Sequence, residues 1–388
     1  MQYRKFGRLD WQVSALGLGA MRLPVIDNDP KQIDEEAAIA LIQRAIDGGV
    51  NYVDTAYPYH GGTSEPLVGR ALKDGYRERV KLATKMPCWL VKEPVDFDRY
   101  LDEQRRRLDT QVIDFYLLHA LDAERWHTVR DLGVLDWAEK ALADGRIEHM
   151  GFSFHDSHEA FREIVDAYDN WTFCQIQYNY LDVDHQAGTK GLQYAAAKGL
   201  AVVVMEPLRG GQLAGNAGFR RGKGVPASVQ ALWDKAETRR KPAEWALQWL
   251  WHQPEVSVVL SGMSTAGQLE ENLVSAGRSG VGSLSETELA LVAEVRAEFQ
   301  RLAPIPCTEC GYCQPCPNNV LIPKIFAFFN EATMFNAQEY GRVAYNNWIA
   351  AENRADQCLK CGECEEKCPQ HIAIMDWLEK ADQALSGN

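Results

Sequence analysis

Eight of the ten cysteines lie between Cys307 and Cys368, and their spacing is regular. Cys307, Cys310, Cys313 and Cys316 run up to Pro317, and Cys358, Cys361, Cys364 and Cys368 run up to Pro369. The second run reads C-x2-C-x2-C-x3-C-P, a spacing in which three thiolates bind one iron-sulfur cluster and the fourth reaches another. The first run has two residues, not three, before its last cysteine, which sets Cys316 apart from Cys368 as a cross-ligand. Four-thiolate zinc sites also use C-x2-C pairs and are the alternative. A different set of polar groups sits far upstream: Asp54 and Tyr59 in DTAYPYHGGTSE, Lys85 in LATKMP and His119 in FYLLHALD. Each falls at or just after the end of a predicted strand, a placement that suits chemistry. Singly, each also has a structural explanation: a half-buried aromatic, a satisfied core histidine, an ion pair between Asp54 and Lys85.

The elements that would carry these groups recur evenly. Short apolar, β-branched runs fall near Ala15–Gly19, Tyr52–Thr55, Val80–Lys85, Phe115–His119, His149–Phe154, Phe173–Asn179, Leu200–Glu206 and Val256–Leu260. Helical periodicity separates most of them. In EEAAIALIQRAIDGG, Ile39, Ile42 and Ile46 share a face before Gly48 and Gly49 stop the helix. Eight strands alternating with helices predict a parallel barrel with its site at the C-terminal strand ends. A doubly wound sheet is disfavoured, because GLGAMRLP after the first strand lacks the GxGxxG spacing. The connection from Pro207 to the eighth strand is much longer than the rest and contains the glycine-rich, basic GGQLAGNAGFRRGKG. Such a segment reads as a lid or binding loop, or as a solvated insertion.

At 388 residues with 46% hydrophobic content, the chain exceeds the usual reach of one core. Two domains are expected, 1–303 and 304–388, divided where the cysteines begin, with Pro304 and Pro306 closing the linker. A formal charge of −13 would repel a polyanion, so nucleic acid is not an expected partner. No apolar run reaches membrane-spanning length, and MQYRKFGRLDWQ lacks a signal peptide's apolar core. The expected compartment is the cytoplasm, where closely spaced thiols bind metal rather than pair as disulfides.

Taken together, Asp54, Tyr59 five residues later, Lys85 and His119 resemble the tetrad of the aldo-keto reductase family. The resemblance runs from about Phe6 to Asn272, through LGLGAMRLP, DTAYPYHGGTSEPLVGRAL, FYLLHALD, GFSFHD, QIQYNYL, MEPLRGG and SGMSTAGQLEENL. It implies an α/β fold of the (β/α)8 TIM-barrel type and NAD(P)H-dependent reduction of an aldehyde or ketone, a small-molecule carbonyl substrate, to an alcohol. Hydride arriving at a carbonyl carbon leaves an alkoxide that needs a proton. On this reading Tyr59 gives it, Lys85 favours the phenolate, Asp54 holds Lys85 charged, and His119 orients the substrate oxygen.

The same resemblance assigns the nicotinamide carboxamide to Ser153 and Gln175, and further cofactor contacts to Met205, Leu208, Arg209, Ser264, Gln268 and Asn272. Three positions depart from the family pattern. Phe154 follows Ser153 where many relatives have Asn. Met205 stands where an aromatic ring often stacks. No basic residue follows the eighth strand in SGMSTAGQLEENL, so both NADP and NAD remain cofactor readings, with Arg209, Arg220, Arg221 or Lys223 able to compensate from the long loop.

The tail resembles bacterial ferredoxins. It implies a small α-rich, ferredoxin-like domain holding two [4Fe-4S] clusters, with VLIPKIFAFFNEATMFNAQEYGRVAYNNWIAAENRA long enough for helices. A redox protein is then a further expected partner. The second function reading is an iron-sulfur electron-transfer protein that uses the barrel as a substrate- or partner-binding scaffold, and the complete tetrad argues against it.

Overall fold

The computed structural model describes residues 1–215, 224–307, 309 and 311–387. Arg220, Arg221, Lys223 and Cys310 lie outside the described residues. The chain packs as two compact units, one made of Met1–Pro207 with Leu247–Ser285, the other of Leu208–Ala246 with Glu286–Asn388.

In the first unit, eight parallel strands close into a barrel: β3 Leu16–Gly19, β4 Tyr52–Asp54, β5 Lys81–Met86, β6 Ile113–Leu121, β7 Ile147–Phe154, β8 Phe173–Gln177, β9 Ala201–Met205 and β10 Val256–Ser261. Their order around the barrel is β10-β3-β4-β5-β6-β7-β8-β9. All eight coincide with the predicted apolar runs. The reason is physical: barrel strands are covered on both faces, so β9 (AVVVM) reads as a continuous apolar stretch and every residue of β10 (VSVVLS), its two serines included, is buried.

The first helix shows how the local sequence sets an element. Asp34 caps Glu35–Asp47 by accepting from the Ala37 amide, and Glu35 and Glu36 suit the positive end of the helix dipole. Gly48 ends it and Gly49, at φ +94, turns the chain in a conformation that costs glycine nothing. Its core stripe is Ala38, Leu41, Ile42, Ala45 and Ile46. Ile39 is only half-buried, so the stripe is rotated from the isoleucine line expected from sequence.

An antiparallel hairpin, β1 Tyr3–Lys5 with β2 Gln12–Ser14, was not anticipated from sequence. It plugs the N-terminal end of the barrel. The Phe6 ring lies 4.7 Å from Phe115 and 5.8 Å from Phe173, and it belongs to one fully buried cluster with Tyr52, Ala201 and Val203. Gly7, at φ +54, passes so close that a Cβ would stand 2.5 Å from the Ala201 nitrogen. With that end filled, the C-terminal strand ends are left to carry a site.

In the second unit, helices Ile322–Met334, Gln338–Trp348 and Ile374–Leu385 pack on one another around Phe326, Tyr345 and Leu378. Gly341 permits the close approach, because a Cβ there would sit 2.6 Å from that of Ala332. The expected tail helices are therefore present. The same unit takes in the long connection after β9. There Gln212 donates to Glu331 at 2.7 Å, and Trp233 stacks on Trp245 with ring centroids 5.0 Å apart. What reads from sequence as a barrel loop thus includes the helix Ala227–Trp233, which packs against Glu286–Leu302. Among the described residues no helix is long and apolar enough to cross a membrane.

Candidate active site

Asp54 is the last residue of β4, Lys85 lies at the end of β5, and His119 lies near the end of β6. Register carries them to one rim, since Asp54 pairs with Ala83 and Lys85 with Leu117. Tyr59 opens the single-turn helix Tyr59–Gly62 that follows β4. The sequence places four groups at strand ends, and the fold gathers them.

Lys85 is the hub. Its ammonium is 2.6 Å from Asp54 Oδ1, donates to the Thr55 carbonyl at 2.8 Å, and lies 3.4 Å from the Tyr59 hydroxyl. Lys85 is 1% exposed and Asp54 2%, so this charge pair is removed from water. Burial alone would neutralise the lysine, but Asp54 outweighs it and the Lys85 pKa moves up. Burial raises Asp54, with Lys85 opposing. For a pair this close the state that satisfies both groups is ammonium with carboxylate.

Burial also lifts the Tyr59 phenol above its ordinary value, with Lys85 pulling the other way. The expected effect of the cation is therefore present but does not prevail in the resting site. That suits a donor: the phenol stays protonated near neutral pH, and Lys85 lowers the cost of the phenolate as the proton leaves. His119 meets Tyr59 edge-on, with ring centroids 6.0 Å apart, and Trp89 lies 5.1 Å from the imidazole. Burial, then Lys85, drives His119 far below its ordinary pKa, so the ring is neutral at neutral pH. Its buried Nδ1 has no hydrogen-bond partner among the described residues. Sequence reasoning missed Trp89; an aromatic four residues beyond Lys85 was the available signal.

The three next strands bring the expected carboxamide residues to the same rim. Ser153 pairs in register with Gln175, and Gln177 with Met205. The Ser153 oxygen accepts from the Ala120 amide at 2.7 Å, fixing the turn after His119, where Ala120 has φ +54. That leaves the Ser153 hydroxyl hydrogen to donate. Gln175 is 2% exposed, and among the described residues its Nε2 reaches only the Met205 sulfur at 3.6 Å. Its buried Oε1 has no partner among the described residues, a state worth about 1–3 kcal/mol of penalty. A carboxamide N–H would satisfy it, so these residues fit a nicotinamide.

The remaining expected cofactor contacts fall in both units. After β10, Thr265 caps the helix Ala266–Gly277 and Gln268 reaches back to the Ser264 amide at 2.8 Å. Asn272 is tied to Ser261 at 3.0 Å. Leu208 and Arg209 belong to the second unit, where the Arg209 guanidinium lies 5.7 Å over the Phe335 ring.

In the cysteine-bearing unit, Cys307, Cys313 and Cys368 line one recess with Ile322, Phe326 and Ile374. Residues of both runs thus line a single apolar-walled recess, the pairing of runs that cross-ligation calls for, while among the described residues no three His, Cys, Asp or Glu side chains are grouped closely enough to hold one metal ion. Cys364 is buried and Cys361 exposed, and Cys358 Sγ accepts from the Lys360 amide at 3.4 Å.

A model described as the aldo/keto reductase family matches residues 15–295, and one described as a 4Fe-4S dicluster domain matches residues 306–373. A probable aldo-keto reductase of Glycine max is 28% identical over 304 residues, 69% of this chain and 82% of the relative. An L-galactose dehydrogenase of Arabidopsis thaliana is 28% identical over 292 residues, covering 70% and 87%. The holo form of an aldo-keto reductase from Bacillus halodurans superposes with a TM-score of 0.63 at 26% identity, covering 76% of this chain and 96% of that one. Barrel, strand order and family match agree over most of the sequence, and the tail adds a 4Fe-4S dicluster domain: the chain is an oxidoreductase that belongs to the aldo/keto reductase family.

Proposed function

We propose that the chain reduces an aldehyde or ketone to the corresponding alcohol, with Tyr59 as the proton donor. The observation that supports it best is the Lys85 ammonium set between Asp54 at 2.6 Å and the Tyr59 hydroxyl at 3.4 Å. A bound nicotinamide, NADP or NAD, supplies the hydride. Ser153 and Gln175 would hold its carboxamide, and Met205 would offer it a soft, polarizable surface. His119, neutral, orients the carbonyl oxygen by a hydrogen bond. Tyr59 releases its proton to that oxygen as negative charge develops there, and Lys85 steadies the phenolate left behind. Anaerobic turnover of an aldehyde with nicotinamide deuterated at C4 tests the reading. One deuterium is expected in each alcohol at the former carbonyl carbon. Turnover that requires a one-electron donor and leaves that carbon unlabelled would instead make the tail the working part and the barrel its scaffold.

For the second unit we infer two [4Fe-4S] clusters, held by Cys307, Cys310, Cys313 and Cys368 and by Cys358, Cys361, Cys364 and Cys316. The recess that joins Cys307, Cys313 and Cys368 supports the first set. Such clusters exchange single electrons. Anaerobically purified protein is expected to hold about eight iron and about eight acid-labile sulfide per chain. Stoichiometric zinc without iron-sulfur absorption would overturn the assignment.

A further inference from the structure

Behind the Asp54, Lys85 and Tyr59 triangle lies a second polar network that the proposed chemistry does not use. Its centre is Glu65, fully buried on the helix Ser64–Ala71. Glu65 Oε1 accepts from Thr84 Oγ1 at 2.7 Å and from Gln104 Nε2 at 2.6 Å. The same Gln104 nitrogen donates to the Lys85 backbone carbonyl at 3.0 Å, and its Oε1 accepts from the Tyr116 hydroxyl at 2.6 Å. On the other side, Arg107 pairs with Glu65 Oε2 at 3.3 Å and donates to the Tyr57 carbonyl at 3.4 Å. Its guanidinium also covers the Tyr57 ring at 4.0 Å.

The two ends of this network are informative. One grips the backbone of Lys85, the other the segment two residues before Tyr59. Between them run a buried carboxylate and a buried amide, whose desolvation is offset only while every bond is made. The distance they span is the functional one: at 3.4 Å, Lys85 and Tyr59 stand just beyond ordinary hydrogen-bond length, so a small displacement changes their coupling.

We propose that Glu65, Gln104 and Arg107 are positioning residues that clamp the Tyr59 turn to the Lys85 strand and so set the separation of ammonium and phenol. None of the three bonds to Asp54, Tyr59 or His119. The proposal rests on the proton-donor reading of Tyr59. Loosening the clamp slows proton transfer without weakening substrate binding. It therefore lowers kcat, leaves KM nearly unchanged, and raises the solvent deuterium isotope effect on kcat. A displacement of about 1 Å costs on the order of 10²-fold, so a fall of about ten- to a hundredfold is expected.

The test uses full-length protein with its clusters, in the variants Glu65→Gln and Gln104→Leu, compared with Tyr59→Phe. Folded variants with reduced kcat, steady KM and a larger solvent isotope effect support the clamp. Arg107, with a side chain 23% exposed, carries the test as Arg107→Met if the buried variants do not fold. An inactive Tyr59→Phe beside clamp variants with wild-type kcat, or with reduced kcat and an unchanged isotope effect, overturns the clamp alone. A fully active Tyr59→Phe overturns the donor reading beneath it.

Discussion

Tyr59→Phe is expected to lower kcat for aldehyde reduction by about 10²- to 10⁴-fold, the range supplied by a positioned general acid. The argument turns on how little else the substitution removes. The ring of Tyr59 is held by its edge-on contact with His119 and by the Lys85 ammonium 5.0 Å from its centroid, and phenylalanine keeps both. Only the hydroxyl goes, and with it, among the described side chains bonded to the Lys85 ammonium, the one that carries a proton to give at neutral pH. Asp54 has no proton to give while paired, and His119 is neutral and held far below its usual pKa. Nicotinamide affinity, measured by fluorescence titration, should stay at the wild-type value. Steady-state turnover decides the matter: wild-type kcat in this variant would remove Tyr59 from the reaction.

The site was legible because its parts are fixed by chain-local geometry. Asp54, Lys85 and His119 end strands whose apolar runs stand out, and a parallel barrel brings successive strand ends to one rim whatever the helices between them do. The clamp was not legible. Glu65, Gln104 and Arg107 look like ordinary helical polar residues, and only tertiary packing turns Glu65 and Gln104, 39 positions apart, into buried partners. The hairpin β1–β2 escaped notice because strands of three residues leave no usable periodicity. The segment after Pro207 reads as a loop from its glycines. Its membership in the second unit depends on pairings such as Gln212 with Glu331, 119 residues apart, which no local pattern encodes. The sign of the Tyr59 shift was likewise hidden, since the neighbouring lysine can be read from sequence but the depth of burial cannot.

Lys85→Met should abolish turnover to a similar degree and, unlike Tyr59→Phe, also unfold the barrel more readily. Asp54 is 2% exposed, and among the described residues Lys85 is the only cation bonded to it. Removing one partner of such a pair costs about 3–5 kcal/mol, because the remaining charge is buried without compensation. Asp54 can escape by taking up a proton. Its folded-state pKa, already raised by burial, would rise further without the ammonium. The sign follows from linkage: a group that binds its proton more tightly when folded adds stability below its unfolded pKa and loses it as pH climbs through the folded value. Lys85→Met should therefore lie closest to wild type in mildly acidic buffer and fall away toward neutrality. Adding Asp54→Asn removes the stranded charge, so the double variant should regain most of the lost stability and lose the added pH dependence while remaining inactive. Denaturant unfolding at several pH values, run beside activity assays, separates the two roles of the pair. If the double variant recovers turnover along with stability, Lys85 is a structural partner of Asp54 and nothing more.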